Sequence, residues 1–417
     1  MAVVTLGCRL NIAESDAIAA MLGARDDLVV VNSCAVTAEA LAQTRKAIRK
    51  AARERPDARI VVTGCAASTE PETFRAMAEV ADVVANHRKM EAQAYPSPFA
   101  LSDVEGREAR GPFGARPSTA LRTSGDVVAQ AHTRAFIEVQ NGCDHACTFC
   151  IIPLGRGPSR SIAPHDVIAR IAAATDAGAR EVVLTGVDVT AYGADLPGTP
   201  TLGHLVERIL RDVPALPRLR LSSLDAVELD DRLIDLVTGE ARLMPHLHLS
   251  LQAGDDMILK RMKRRHSRAQ AVELVARLKA RRPDIAIGAD LIAGFPTETD
   301  AMAANTLALL DDCDVVHAHI FPYSPRATTP AARMPQLTRE IILARARALR
   351  EKATARRDAW LAGLVGGTQR VLVERGGTSG HAGNFARVTL DRPAPPGTIV
   401  DTRIHTTQDD TLIGTPA

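Results

Sequence analysis

The stretch Ala135-Phe-Ile-Glu-Val-Gln-Asn-Gly-Cys-Asp-His-Ala-Cys-Thr-Phe-Cys150 runs from an apolar, strand-like segment into three cysteines spaced Cys143-x3-Cys147-x2-Cys150. Cysteine thiolates are the usual protein ligands of a four-iron, four-sulfur cluster. Three ligands on one loop leave the fourth iron open to another molecule. Tetrahedral structural zinc takes four Cys or His ligands, usually as two spaced pairs. No matching second pair follows, although His145 lies inside the loop as a candidate fourth zinc ligand. A cluster is the expected occupant, with zinc or unligated thiols as the alternatives.

Outward from this loop, residues 134–325 read as a βα series. Strands are expected near 135–140, 181–185, 218–222, 246–251, 285–292 and 314–320, with helices such as 164–177, 230–238, 267–281 and 299–311 between them. Six parallel strands with outer helices predict an open, partial barrel whose site lies at the strand carboxyl ends. His246-Leu-His-Leu-Ser-Leu-Gln252 alternates strictly, so His246, His248, Ser250 and Gln252 share one face. Polar groups there are costly in an apolar core and reasonable in a wet ligand cavity. Paired structural histidines are the alternative.

Residues 2–90 form an earlier βα series, with strands at 3–6, 28–31, 60–63 and 82–84 and helices at 12–22, 38–53 and 71–79. Each of the first three strands is followed by a cysteine: Cys8, Cys34 and Cys65. Ligand sites in open parallel sheets lie beyond the strand carboxyl ends, so these three are expected to converge on a second site, with small buried thiols placed by chance as the alternative. Pro and Gly punctuate 94–133, which reads as a linker. After a helix at 338–361, short strands at 368–374, 385–390, 397–404 and 411–413 suggest a small antiparallel β-barrel or sheet.

Composition narrows the classes. With 417 residues, 46% hydrophobic content and a net charge of +2, the chain suits two or three soluble domains and has no overall basic bias. No apolar run is long enough to span a membrane, and Met1–Cys8, without a basic segment or long apolar core, is not expected to act as a secretory signal. Seven cysteines suit thiolates held for metal in a reducing cytoplasm. Aromatics make up only 3%, so base stacking is not expected to dominate any RNA binding. Lys260–Arg268 and Arg345–Arg357 supply local positive charge for phosphate contacts, whereas Arg45–Arg59 reads as a solvated helix face. Cys313, away from both triads, reads as a small buried residue.

Over nearly its whole length the chain resembles the radical S-adenosylmethionine (SAM) methylthiotransferases. Thr5-Leu-Gly-Cys-Arg-Leu-Asn11, Val31-Asn-Ser-Cys-Ala-Val-Thr37 and Thr63-Gly-Cys65 are similar to that family's three auxiliary-cluster segments. Gln140–Pro153, followed by Arg156-Gly-Pro-Ser-Arg160, resembles its radical SAM segment. Leu184–Thr190, Leu221–Asp225, His246–Gly254, Met262–His266 and Phe321–Arg326 resemble the branch that modifies N6-threonylcarbamoyladenosine at tRNA position 37. The resemblance divides the chain into an N-terminal methylthiotransferase domain (1–93), linker (94–133), radical SAM core (134–362) and TRAM-like RNA-binding barrel (363–417). The linker has no family pattern, and the last domain is short, with Phe385 its only aromatic.

The resemblance implies two [4Fe–4S] clusters and SAM as cofactors. Cys143, Cys147 and Cys150 would hold the cluster that reduces SAM; Cys8, Cys34 and Cys65 would hold one that carries sulfur. Phe149 would lie near adenine, Thr185 and Gly186 near the methionyl amine, and Gly294 near the nucleoside, or in an ordinary turn. Ser222, His248 and Gln252 complete the expected cofactor cavity, while Arg156 and Arg160 would hold SAM carboxylate or tRNA phosphate. Implied partners are the tRNA anticodon loop, an electron donor such as flavodoxin or ferredoxin, and a sulfur donor. The rival readings are the same chemistry on N6-isopentenyladenosine or a ribosomal-protein aspartate, or a non-catalytic iron–sulfur RNA-binding or redox-sensing protein.

Overall fold

The computed structural model describes residues 2–97 and 133–417, so most of the expected linker lies outside the described residues. The chain divides into two compact units, separating near residue 130. In the first, β1 (Ala2–Thr5), α1 (Arg9–Leu22), β2 (Leu28–Ser33), α2 (Ala38–Glu54), β3 (Arg59–Gly64), α3 (Cys65–Thr69), α4 (Pro71–Arg75) and β4 (Val80–Val83) follow in order. The four strands form a parallel sheet in the order β1-β2-β3-β4. Leu28–Val31 and Ile60–Val62 are almost wholly buried, as their unbroken apolar sequence requires in a sheet covered on both faces. The helix expected over 71–79 stops at Arg75. The packed unit continues past residue 93: Tyr95 is buried beside Ile18, Val30 and Val61, and Arg25 and Arg59 donate to the carbonyls of Pro96 and Ser97.

The second unit begins with β5 (Ala135–Glu138), β6 (Gln140–Asn141), α5 (Ile152–Arg156) and β7 (Arg160–Ser161). Alternating elements follow: α6 (Pro164–Asp176), β8 (Val182–Thr185), α7 (Leu202–Asp212), β9 (Leu219–Leu221), β10 (Ser223–Leu224), α8 (Asp231–Gly239) and β11 (His246–Gln252). Then come α9 (Asp256–Arg261), α10 (Arg268–Arg281), β12 (Ala286–Ala293), α11 (Asp300–Asp312), β13 (Val315–Pro322) and α12 (Arg339–Gly363). Parallel pairing runs β5-β8-β9 and β10-β11-β12-β13, with β9 and β10 the two halves of one strand interrupted at Ser222. No described strand pairs β5 with β13, so this half-barrel has an open seam between its first and last strands. Leu247, Leu249, Leu251, Ile287, Ala289 and Leu291 pack outward against the helices. The intervening residues, His246, His248 and Asp290 among them, face the lumen.

The chain ends in a closed five-stranded barrel, β14 (Thr368–Val373), β15 (Ser379–Ala382), β16 (Arg387–Leu390), β17 (Ile399–Gln408) and β18 (Thr411–Pro416), in the order β14-β15-β16-β18-β17. The strand expected over 385–390 begins only at Arg387, because Phe385 turns the chain with a left-handed φ of 70°. Its ring lies 4.8 Å from His381, 5.0 Å from His246 and 4.8 Å from the Arg220 guanidinium carbon. The last domain's one aromatic therefore closes the base of the half-barrel rather than offering a face to RNA.

Beneath that ring, Glu181 is fully buried and binds Arg220 Nε at 3.0 Å and Arg134 Nε at 3.1 Å. Arg220 also donates to the carbonyl of Gly383 at 3.1 Å, and Arg218 to that of Arg370 at 2.7 Å. Burial pushes the Glu181 carboxyl up, but the surrounding arginines outweigh it and bring it from 4.5 to about 2. Arg220→Met leaves a buried carboxylate short of its main partner and is expected to cost about 3–5 kcal/mol, read as a lowered denaturant midpoint. Since Glu181 titrates lower folded than unfolded, its contribution is full above the ordinary carboxylate range and is lost as pH falls toward 2. The denaturant midpoint of wild type should fall over that window more steeply than that of Arg220→Met.

Candidate active site

Between β6 and α5 the cysteine loop folds back on itself. Gly142 sits at φ 75°, and a Cβ there would lie 1.9 Å from the carbonyl oxygen of Pro158, so no side chain fits. Cys143 N donates to Gly157 O at 3.1 Å, closing the loop. Each of the three sulfurs meets an N–H donor: His145 N on Cys143 (3.4 Å), Ile152 N on Cys150 (3.4 Å) and Arg264 Nη1 on Cys147 (3.7 Å). Donors aimed at sulfur stabilise thiolate ligands and tune iron–sulfur clusters. In their unligated form, burial pushes the Cys143 thiol up to about 12. The donor set fits a three-thiolate cluster.

Around the loop lies a network that sequence reading missed. Asp188, on the turn after β8, binds His145 Nε2 at 2.7 Å and lies 3.9 Å from Cys143 Sγ. The Asp188 hydrogen bond raises His145, favouring its imidazolium. His145 Nε2 thus donates to a carboxylate, and the Arg265 guanidinium, itself paired with Glu228, lies 3.0 Å away. Arg264 Nη2 binds Asp225 at 2.7 Å. Arg264 belongs to the basic run read as an RNA patch; its burial, not its charge, sets it apart, and sequence gave no signal for that.

The expected SAM-contacting residues fall into distinct settings. Phe149 is partly buried, edge-on to Phe295 at 6.4 Å. Thr185 is buried at the end of β8; a Cβ on Gly186 would lie 2.7 Å from Gln140 O, which pins that turn beside the cysteine loop. Ser222 is buried at the break between β9 and β10, and its Oγ has no protein hydrogen-bond partner among the described residues. Gln252 ends β11 with a left-handed φ of 65°. His248 binds Asp290 at 2.9 Å. Gly294 has φ 71° and presses on α12, where a Cβ would meet Ile342 at 2.7 Å. Arg156 is buried and donates to Asn141 Oδ1 at 2.9 Å, while exposed Arg160 donates to the carbonyls of Arg156 and Pro158. Both arginines brace the loop.

In the first unit the three cysteines follow adjacent parallel strands. Cys8 is exposed; Cys34 and Cys65 are buried. Asn11 Nδ2 donates to Leu6 O at 2.6 Å and Ser33 O at 3.2 Å, and Ser33 Oγ donates to Thr63 O, tying the three strand ends together. A Cβ on Gly7 would lie 2.7 Å from Cys34 Cβ, so the Cys8 and Cys34 loops touch. Cys313 is wholly buried at the end of α11. Much of the basic charge expected to meet phosphate is taken internally: Arg268 pairs with Asp312, Arg345 with Glu298, and Arg356 with Asp311 and Asp314.

Residues 137–310 match the radical SAM superfamily, and residues 1–86 match a family described as uncharacterized protein family UPF0004. The threonylcarbamoyladenosine tRNA methylthiotransferase MtaB of Rickettsia prowazekii (strain Madrid E) is 44% identical over 94% of this chain and 91% of its own length. A tRNA-2-methylthio-N(6)-dimethylallyladenosine synthase of Cereibacter sphaeroides (strain ATCC 17025 / ATH 2.4.3) is 34% identical over 98% of this chain and 97% of its own. Among solved structures, the radical SAM methyltransferase TsrM of Kitasatospora setae, with tryptophan and a SAM analog bound, has a TM-score of 0.50 at 18% identity. It covers 78% of this chain and 66% of that one, a likeness of fold alone. Half-barrel and cysteine loop together define a radical SAM fold. The chain belongs to the radical SAM tRNA methylthiotransferase family.

Two cysteine triads, each expected to hold one cluster, make a countable prediction. Cys143→Ala and Cys8→Ala should each lower iron in the anaerobically reconstituted protein from about eight to about four per chain. The two variants should lose different electron paramagnetic resonance signals, and Cys313→Ala should lose neither.

Proposed function

We propose that this chain converts N6-threonylcarbamoyladenosine at tRNA position 37 to its 2-methylthio derivative. The 44% identity to a methylthiotransferase named for that substrate, across 94% of the chain, carries the reading. The two sets of three cysteines support it, because the reaction needs both a hydrogen-abstracting centre and a sulfur-bearing one. When bound, the clusters and SAM supply the cleavage of adenine C2–H and the sulfur and methyl that replace it, chemistry beyond any acid or base in the chain. Cys143, Cys147 and Cys150 hold one cluster, with the N–H groups of His145, Ile152 and Arg264 balancing negative charge on their sulfurs. Cys8, Cys34 and Cys65 hold the other, on strand ends fixed by Asn11 and Ser33.

For SAM, Ser222 Oγ, Gln252, Thr185 and Gly186 offer polar contacts at the strand carboxyl ends, with Phe149, His248 and Gly294 completing the cavity. Arg156 and Arg160 serve the site by holding the cysteine loop. The anticodon loop of tRNA is the partner. A flavodoxin or ferredoxin provides electrons, a separate donor provides sulfur, and the cytoplasm is the compartment. No helix among the described residues is long and apolar enough to cross a membrane. The dimethylallyl substrate is the second reading, favoured by the 34% identity over 98% of the chain.

The test is anaerobic incubation of the reconstituted protein with SAM, reductant and tRNA carrying either modified adenosine, read by nucleoside mass spectrometry. The expected product is 2-methylthio-N6-threonylcarbamoyladenosine, with two SAM consumed for each: one to 5′-deoxyadenosine, one to S-adenosylhomocysteine. Conversion of only the dimethylallyl substrate, or consumption of a single SAM per product, overturns the proposal.

A further inference from the structure

The lumen of the half-barrel holds a cluster that the cysteine loop does not explain and of which only His248 is among the expected SAM contacts. His248 on β11, Asp290 on β12 and His319 on β13 bring their donor atoms within 4.8 Å of one another. Asp290 Oδ1 lies 2.9 Å from His248 Nε2 and 3.1 Å from His319 Nδ1, and the two imidazole rings are 4.5 Å apart. Gly288 makes the arrangement feasible: a Cβ there would lie 2.4 Å from His248 Nδ1. The members differ in access, for the His248 side chain is 7% exposed and that of His319 is 62% exposed. His319 also lies on β13, the strand that borders the open seam.

An ionised carboxylate only accepts hydrogen bonds, so both ring nitrogens facing Asp290 must carry protons. Burial pushes the Asp290 carboxyl up, but the two imidazole bonds outweigh it and hold it below the usual range. With Nδ1 of His319 committed as donor, a proton on its Nε2 makes the ring a cation backed by Asp290. Protonated there, the ring would offer an anion one N–H from a side chain open to solvent.

The substrate class named in the preceding section carries such an anion. The threonylcarbamoyl group ends in a carboxylate, whereas the dimethylallyl group of the related substrate is purely apolar. We propose that His319 receives the threonyl carboxylate through Nε2–H, with Asp290 and His248 as the positioning pair behind it. Two other groups on the lumen face, His317 and Arg220, are poorly suited. His317 is packed 5.0 Å from Trp360, and burial holds it down to about 4, so it stays neutral. Arg220 is committed to Glu181 and fully buried. His319 is thus the specificity-determining side chain for a charged over an apolar N6 substituent. The inference rests on the threonylcarbamoyl reading.

The test uses the full-length, cluster-reconstituted protein and two anticodon stem-loop RNAs. One carries threonylcarbamoyladenosine at position 37, the other the same nucleoside with its carboxylate capped as a methylamide. Wild type should show a KM roughly tenfold to a hundredfold higher for the amide, the range of a charge-assisted hydrogen bond. His319→Gln and His319→Phe should raise the KM for the carboxylate RNA to about the amide value and leave the amide KM unchanged. Equal KM values for the two RNAs in wild type, or an equal loss on both RNAs in the variants, overturns the assignment. Stoichiometric zinc or manganese that disappears with His319 would make the three side chains a metal site and also overturns it. Absence of methylthio product from either RNA with wild type overturns the reaction reading itself, and this inference with it.

Discussion

Every strand of the half-barrel must satisfy two opposite surroundings. One face packs against helices and must be apolar; the other lines a lumen in which polar cofactors and a modified base are handled. Buried polar groups are costly unless paired. The lumen is therefore built in paired layers. At the base, Glu181 is held by Arg134, Arg218 and Arg220. Above it, Asp290 is shared by His248 and His319. The C-terminal barrel takes part in this arrangement, since the carbonyls of Arg370, Ala382 and Gly383 accept hydrogen bonds from the basal arginines. Without that domain, those guanidinium groups would lose part of their pairing.

The cysteine loop meets a related constraint with different means. A loop that carries three thiolates close together gathers negative charge, and donors must be supplied locally. Backbone N–H groups of His145 and Ile152 supply two, and the Arg264 side chain supplies the third. Asp225 in turn holds Arg264, so its guanidinium is fixed before any cluster binds. The turn after β8 is locked to the same loop, with Gln140 Oε1 accepting from Val187 N and Asp188 N. The strand end that carries Thr185 and the loop that carries Cys143 are thereby one mechanical piece.

What sequence made legible was whatever periodicity or spacing encodes. The alternation His246-Leu-His-Leu-Ser-Leu-Gln252 separated a helix-facing side from a lumen side, and β11 has that division. The same period recurs in His317-Ala-His-Ile-Phe321 and went unread, although it places His319 on the lumen face. Spacing cannot reveal burial of charge: Arg264 sits in a basic run that looks like a phosphate-binding surface, yet it lies inward on Asp225 and Cys147. Nor could it foresee that Phe385 would turn with positive φ and cap the half-barrel, since a β-barrel's lone aromatic reads equally well as a ligand platform. Both features are contacts between segments far apart in sequence, which local pattern does not encode.

The histidines of β11 and β13 show how one repeated residue type is given different roles by depth. His317, lower in the lumen beside Trp360 and Phe385, is desolvated and driven to its neutral form. His248 is nearly as buried but has a carboxylate to donate to. His319 has the same carboxylate and access to water as well. Desolvation penalises a charged imidazole, and an ionised partner offsets that penalty. Moving from the base to the open seam therefore changes the histidine from an apolar filler to a polar brace, and then to a brace whose ring is also open to solvent.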